Sequence, residues 1–263
     1  MATTGRQAGS GQVVSSTVLG YSSVAYALFI GVLGYTIGFL VDVGLPTSID
    51  RGARWAWPAA AAADLLLLAL FAVQHSVMAR PWFKRVWTRV VPSSAERATY
   101  VLASSLALAL LLWLWRPISG YIWTTSGWAA AVLAVIYALG WLLAVGSTFM
   151  IDHFDLFGLR QAWPRARGRA YTPPAFTERG LYALIRHPLM TGFIIVFWAT
   201  PAMTAGHLLL AAAATTYILV GIGFEERDLD RELGAVYASY RARVPALIPG
   251  LRLRRQARLR RTT

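Results

Sequence analysis

Long apolar runs almost free of charge constrain this chain more than any other feature. A helix needs about 20 such residues to cross roughly 30 Å of hydrocarbon. Four windows reach that length: Leu19–Val41, Ala59–Ala79, Ala98–Arg116 and Trp128–Ile151. Between Arg97 and Ile151 the only other charged residue is Arg116. A fifth apolar region, Pro188–Phe224, is interrupted by Pro201 and Gly206. Its first arm, Pro188–Thr200, would be roughly 20 Å long as a helix, too short to span comfortably. The region therefore reads as a tight helical hairpin, with Thr204 capping the second arm. Hydrocarbon offers backbone groups no partners, so the spans must be helices that satisfy themselves. The expected fold is all-α: a polytopic membrane helical bundle of about four full spans plus a C-terminal helical hairpin, five to six transmembrane helices in all.

The charge distribution orients this bundle. The net charge is +13 and all but one of the 25 basic residues are arginine. Nucleic-acid binding is not the inference, because the arginines gather in alternate loops. Arg80, Lys84, Arg85 and Arg89 follow the second span, and Arg160, Arg165, Arg167 and Arg169 follow the fourth. The tail, residues 252–263, carries six more, while the loop after the third span is almost uncharged. This is the positive-inside pattern, which puts the basic loops and both termini in the cytoplasm. In a bacterium that means the inner membrane. The tail is expected to lie against anionic lipid headgroups. Residues 1–18 are small and polar and read as disordered. Residues 19–251 read as one membrane domain, with the ligand-handling region at about 152–251.

Charged groups at both ends of the hairpin are the candidate site, because such groups are expensive near hydrocarbon. Arg186-His187-Pro188 opens it, and Glu225-Glu226 follows 38 residues after His187. Pro188 suits a first helical position, and His187 before it is pushed to extended backbone. Antiparallel arms bring His187 and Glu225 together. The helix start favours an anionic group and the two carboxylates a cation. A ligand with both, such as S-adenosyl-L-methionine, would suit; a structural His–Glu or Arg–Glu pair tying the hairpin shut fits the spacing equally well. After Glu226, Leu229, Leu233, Val236 and Tyr240 recur at helical spacing, which fits an interfacial amphipathic helix and equally a stripe buried against the bundle.

Other features carry weaker signals. Gln74-His75 lies near the basic end of the second span and can form a pocket wall. Asp152-His153-Asp155 makes a poor metal cluster, and no metal is expected. Gly34 and Gly38 form a GxxxG step suited to helix packing. Trp113, Trp115, Trp123 and Trp128 read as an interfacial belt. With no cysteine in the chain, disulfides and cysteine-based metal or thiol chemistry are excluded.

The run Gly180-Leu181-Tyr182, Arg186-His187-Pro188-Leu189-Met190-Thr191-Gly192, then Glu225-Glu226-Arg227-Asp228-Leu229, Gly234, Tyr237, Tyr240, Val244-Pro245 and Pro249 resembles the signature of the isoprenylcysteine carboxyl methyltransferase superfamily. Gln74–Met78, Asp155–Gln161 and Phe197–His207 further resemble its bacterial methanethiol S-methyltransferases and their denitrification-associated relatives. The resemblance implies S-adenosyl-L-methionine as cofactor and a small volatile thiol as substrate. It implies that Tyr182, His187, Pro188, Met190, Glu225 and Glu226 line the cofactor, with Phe176 and Thr177 approaching its adenosine. His187, Arg186 and His153 are the candidates for thiol activation, and His75, Gln74 and Trp198 for the acceptor pocket. One departure bears on the acceptor. Where isoprenylcysteine enzymes carry an arginine four residues before the first Glu, this chain has Gly221, which argues against a carboxyl substrate.

Alternatives of other kinds are methylation of a lipid amine or carboxylate, and a non-catalytic membrane role in nitrogen-oxide metabolism. A transporter would need polar groups at mid-membrane, and here they gather at one end. The oligomeric state is not encoded in these patterns.

Overall fold

The computed structural model describes residues 4–167 and 170–251. The arginine tail lies outside the described residues. In chain order the elements are α1 (Thr4–Leu40), α2 (Trp57–Ala79), α3 (Pro81–Trp87), α4 (Glu96–Leu114), β1 (Tyr121–Thr124), α5 (Gly127–Ile151), α6 (His153–Leu156), α7 (Leu159–Ala166), a 3-10 turn (Gly180–Ala183), α8 (Pro188–Trp198), β2 (Ala202–Thr204), α9 (Ala205–Leu233) and α10 (Ala235–Arg243). Five helices are long and apolar enough to cross a membrane: the Ser16–Leu40 part of α1, α2, α4, α5 and α9. Large apolar side chains such as Leu66, Val135 and Leu142 stay exposed on their outer faces, as lipid contact requires. The chain is a multi-pass helical membrane protein.

α8 is the short arm, at 11 residues roughly 16 Å long. It is carried by α5, against which it packs more extensively than against α9. The approach is close because it is made by glycine. A β-carbon added at Gly192 would lie 2.6 Å from the Ala144 nitrogen and 2.6 Å from the Gly140 carbonyl oxygen. Helices in lipid associate through such small-residue contacts. The expected glycine seam is elsewhere: around Gly34 there is open space, and Gly38 faces Leu45 of its own loop. Those two residues leave α1 free to turn its aromatic positions, not its glycines, toward α4.

Thr204 caps α9 as expected, its hydroxyl accepting from the His207 N–H at 3.2 Å. The bend between the two arms is not a bare turn. Ala202–Thr204 pairs antiparallel with Tyr121–Thr124, with Tyr121 opposite Thr204 and Thr124 opposite Ala202. Tyr-Ile-Trp-Thr is a β-prone run, but four residues between two spans give too little periodicity to single it out. The ladder supplies partners for backbone groups where α8 stops short. Beneath it sits the main core, with Phe39, Leu111, Leu112, Trp141, Val196 and Leu210. Trp115 belongs to this core and not to an interfacial belt: it is fully buried and its indole N–H donates to the Ile49 carbonyl at 3.1 Å.

Three boundaries differ from expectation. α1 is helical from Thr4, so the polar leader continues the first span as helix; once a span is nucleated, extension fixes only one residue per added bond. α9 does not end at Glu225-Glu226 but runs on to Leu233, because Glu, Arg and Leu are good helix formers once the helix leaves hydrocarbon. It stops at Gly234, whose φ of 53° only glycine adopts readily. The expected amphipathic helix is therefore broken in two. Leu229 and Leu233 of α9 pack against Tyr237, Tyr240 and Val244, while Val236 points outward.

Gly192→Ala should cost about 2 kcal/mol of stability, since the backbones of α5 and α8 would have to separate. Thermal unfolding in detergent checks this, and Gly34→Ala serves as the comparison that changes little.

Candidate functional site

At the basic end of the bundle, the start of α8 meets the outgoing half of α9 and the strand-like segment after α10. His187 is the residue before α8, with φ −124° and ψ 62°, off the helix ladder as Pro188 demands. Its backbone N–H donates to the Ala246 carbonyl at 3.1 Å, and the Arg186 N–H to the Pro245 carbonyl at 2.9 Å. The Thr191 hydroxyl reaches the Leu247 carbonyl at 3.0 Å. Residues 244–247 therefore strap the mouth of the hairpin from outside.

The side chains converge as the spacing predicted. Arg186 Nε donates to Glu226 Oε1 at 2.9 Å, a second guanidinium nitrogen bonds the same oxygen, and the third reaches the Arg241 and Val244 carbonyls. His187 Nε2 lies 3.1 Å from Glu226 Oε1 and its Nδ1 3.6 Å from Glu225 Oε2. The two carboxylates differ. Glu226 is held by a buried arginine and an imidazole, whereas the Glu225 side chain is 47% exposed and makes only the longer contact. Arg186, which the sequence offered as a partner for a thiolate, is fully engaged in holding Glu226 and the strap.

Burial alone would push the His187 pKa down, but its contacts with Glu225 and Glu226 outweigh that and the net effect is upward. The two carboxylates thus favour the protonated, donating form of the imidazole. Tyr182 stands beside it, buried, with its hydroxyl 3.5 Å from the Ser147 carbonyl and its own carbonyl accepting from Tyr240 at 2.6 Å. Burial, with a contribution from the Glu225 charge, pushes the Tyr182 pKa to about 12, so it stays a neutral hydroxyl. Phe176 closes the outer side, its ring 5.4 Å from that of Tyr240 and 6.2 Å from that of Tyr237. Thr177 is next to it, and Glu178 bonds Arg243 at 2.7 Å, fixing this loop to α10. Pro188 is buried and Met190 half-buried on the first turn of α8. The amides of Leu189 and Met190 precede the first helical bond, from the Thr191 N–H to the His187 carbonyl at 3.0 Å. This leaves a helix start, a free carboxylate and aromatic walls around one point.

Four expected participants lie elsewhere. His153 follows α5 in an aromatic cage, stacked on Phe149 at 4.1 Å. The Thr148 hydroxyl donates to the Val145 carbonyl, so it must accept from His153 Nδ1–H at 2.7 Å, and Nε2 accepts from Tyr26 at 2.8 Å. Burial lowers the His153 pKa. A neutral ring with both nitrogens engaged is a structural residue, which corrects its candidacy as a base. Its neighbours are structural too: Asp152 caps α6 and pairs with Arg160, and Asp155 accepts from Tyr171 at 2.7 Å. Trp198 sits at the far end of α8, roughly 15 Å from His187 along the axis, and donates to Thr215 at 2.9 Å. Gln74 and His75 form a polar layer on α2 with Tyr100 and Ser104; His75 Nε2 is 2.8 Å from the Tyr100 hydroxyl. That layer meets α9 at Tyr217, about 12 Å deeper than Glu225.

Ser147 and the 244–247 strap were missed as site residues. Serine in an apolar span carries no signal of its own, and the strap's role lies in its backbone. Val244-Pro245 was the visible trace.

The geometry makes stability depend on pH. A raised histidine pKa stabilises the fold fully below the unfolded value of about 6.5 and less as pH rises through the folded value. The stability lost in His187→Asn should therefore be largest in mildly acidic buffer and shrink toward alkaline pH. Denaturation midpoints of both proteins across that range check the sign.

Comparison with known proteins places the chain in a family. The NnrU protein family matches residues 65–226. The chain is 54% identical to Methanethiol S-methyltransferase 2 of Bradyrhizobium diazoefficiens, over 91% of this chain and 92% of that one. It is 50% identical to Methanethiol S-methyltransferase of Mycobacterium tuberculosis, over 87% of this chain and 94% of that one. Nurim of Rattus norvegicus is 30% identical over 71% of this chain and 78% of its own length. No solved structure matches. The chain belongs to the NnrU protein family, alongside the methanethiol S-methyltransferases.

Proposed function

We propose that this protein transfers a methyl group from S-adenosyl-L-methionine to methanethiol, releasing dimethyl sulfide, at the cytoplasmic face of a bacterial inner membrane. The observation that carries the reading is the convergence of the α8 start, His187 and a half-exposed Glu225 at one point of the basic end. The relatives named methanethiol S-methyltransferase supply the acceptor class. The alternating arginine loops supply the orientation.

The residues suit a ligand that carries both signs of charge. The amides of Leu189 and Met190 at a helix start are placed for a carboxylate. Glu225 has acceptor capacity left for an ammonium or a hydroxyl, and Phe176, Thr177 and Tyr182 give a partly aromatic wall. When bound, S-adenosyl-L-methionine supplies an electrophilic methyl on a sulfonium.

The protein's own work is positioning and exclusion of water. Arg186 holds Glu226, Glu226 holds His187, and the strap holds both, so the cluster is fixed before any ligand arrives. Pre-fixed geometry can lower a two-body barrier by several kcal/mol. Opposite charges vanish as a thiolate attacks a sulfonium, so walls that keep water out favour the step. His187, tied to both glutamates, acts in this reading as an anchor of the cluster and not as the base. A small apolar thiol can enter sideways from lipid, past the Gln74–His75 layer, without a polar channel.

Glu225→Ala should reduce dimethyl sulfide formation at least about a hundredfold and abolish cofactor binding, through loss of a charge-assisted contact. Trp198→Phe should stay within about twofold, because Trp198 stands at the other end of α8. Headspace chromatography with purified protein, cofactor and methanethiol reads both. Full activity in Glu225→Ala would refute the site.

A further inference from the structure

A second site lies on the other side of α9. Arg80, Pro81, Trp82 and Arg85 on one wall, and Phe224, Arg227, Asp228 and Arg231 on the other, line a cleft of about 460 Å³. Residues 224, 227, 228 and 231 share one helical face, and Glu226 lies on another, so the cleft is not part of the methyl-transfer cluster.

Its charge is unbalanced. Asp228 is the sole acid on the walls, and it is shared by Arg80 at 3.0 Å and Arg231 at 3.4 Å. Among the described residues, Arg85 and Arg227 are in no ion pair. Arg80 and Arg227 instead lie 5.2 Å and 5.8 Å from the centre of the Phe224 ring. The nearby Glu96 and Glu232 act on Lys84, outside the lining. Four guanidinium groups against one carboxylate make a receptor for an anion, and arginine forks match phosphate oxygens.

The walls continue into the membrane. On α2, Leu66, Leu70, Val73 and Val77 descend at helical spacing from Arg80, the first three strongly exposed. On α9, Val220 and Phe224 are exposed in line with Arg227 and Arg231. The two helices are neighbours, tied by Ser76 to Tyr217 at 3.1 Å and by Arg80 to Asp228. A groove that is apolar along its length and cationic at its mouth, with exposed Trp82 at the rim, has the polarity of a lipid.

We propose that this groove holds one anionic phospholipid, its phosphate among Arg85, Arg227 and Arg231 and its acyl chains along α2 and α9. The test is native mass spectrometry of the full chain, stripped in neutral detergent and supplied with phosphatidylglycerol or phosphatidylcholine. One phosphatidylglycerol adduct is expected, with phosphatidylcholine bound at least about tenfold less. The double variant R85Q/R227Q should lose about thirtyfold in affinity, at roughly 1 kcal/mol for each arginine near a lipid surface. Arg89→Gln, outside the cleft, should retain the adduct. Equal binding of phosphatidylcholine, or an unchanged adduct in R85Q/R227Q, would overturn the proposal. So would complete displacement by millimolar inorganic phosphate, which would reassign the cleft to a soluble anion.

Discussion

The ion pair between Arg186 and Glu226 is the contact on which the functional end of this protein depends. One guanidinium holds a carboxylate with two nitrogens and two backbone carbonyls with the third. The side chains are largely out of water, at 9% and 18% exposure, and the cost of burying the arginine is offset because all three of its guanidinium nitrogens find acceptors. The approach to α8 meets there, across some 40 to 58 residues of sequence, the outgoing half of α9 and the end of α10 with the strap beyond it. It adds a side-chain lock to the strap's backbone hydrogen bonds and the glycine seam with α5 that hold the start of α8.

That arrangement explains the division of labour among charged residues. Glu226 and Glu225 are adjacent in sequence, yet a helix turns about 100° between them. One side chain is thereby delivered to the arginine and the other to the open side of the imidazole. The spacing offered a structural pair and a ligand site as competing explanations; Glu226 is locked in the pair, while the next residue back, Glu225, stays half-exposed and is the one proposed to meet a ligand. The same rotation puts Phe224, Arg227 and Arg231 on a third face, where α9 meets α2 and α3 and the basic cleft forms.

Much of this was legible from residue order. The number of spans, the short first arm, the Thr204 cap and the meeting of His187 with the glutamates all follow from span length and antiparallel return. The misreadings share a cause. His153, Trp198 and Trp115 were judged by residue type and distance from a span end, and neither says which side chains surround a group. His153 became a cage residue because Thr148 and Tyr26 happen to face both its nitrogens. Trp115 entered the core because the loop carrying Ile49 folds back over it. The β1–β2 ladder joins segments some 80 residues apart, a pairing that local pattern does not register.

Hydropathy along the chain is sufficient to decide that it crosses a membrane several times, because transfer into hydrocarbon depends on each segment's own composition. Packing alone settled which glycines form the close seam, which glutamate is locked and which is open, and which histidine meets the two glutamates. These are questions of rotation and depth, fixed by contacts between segments, and no segment carries that information within itself.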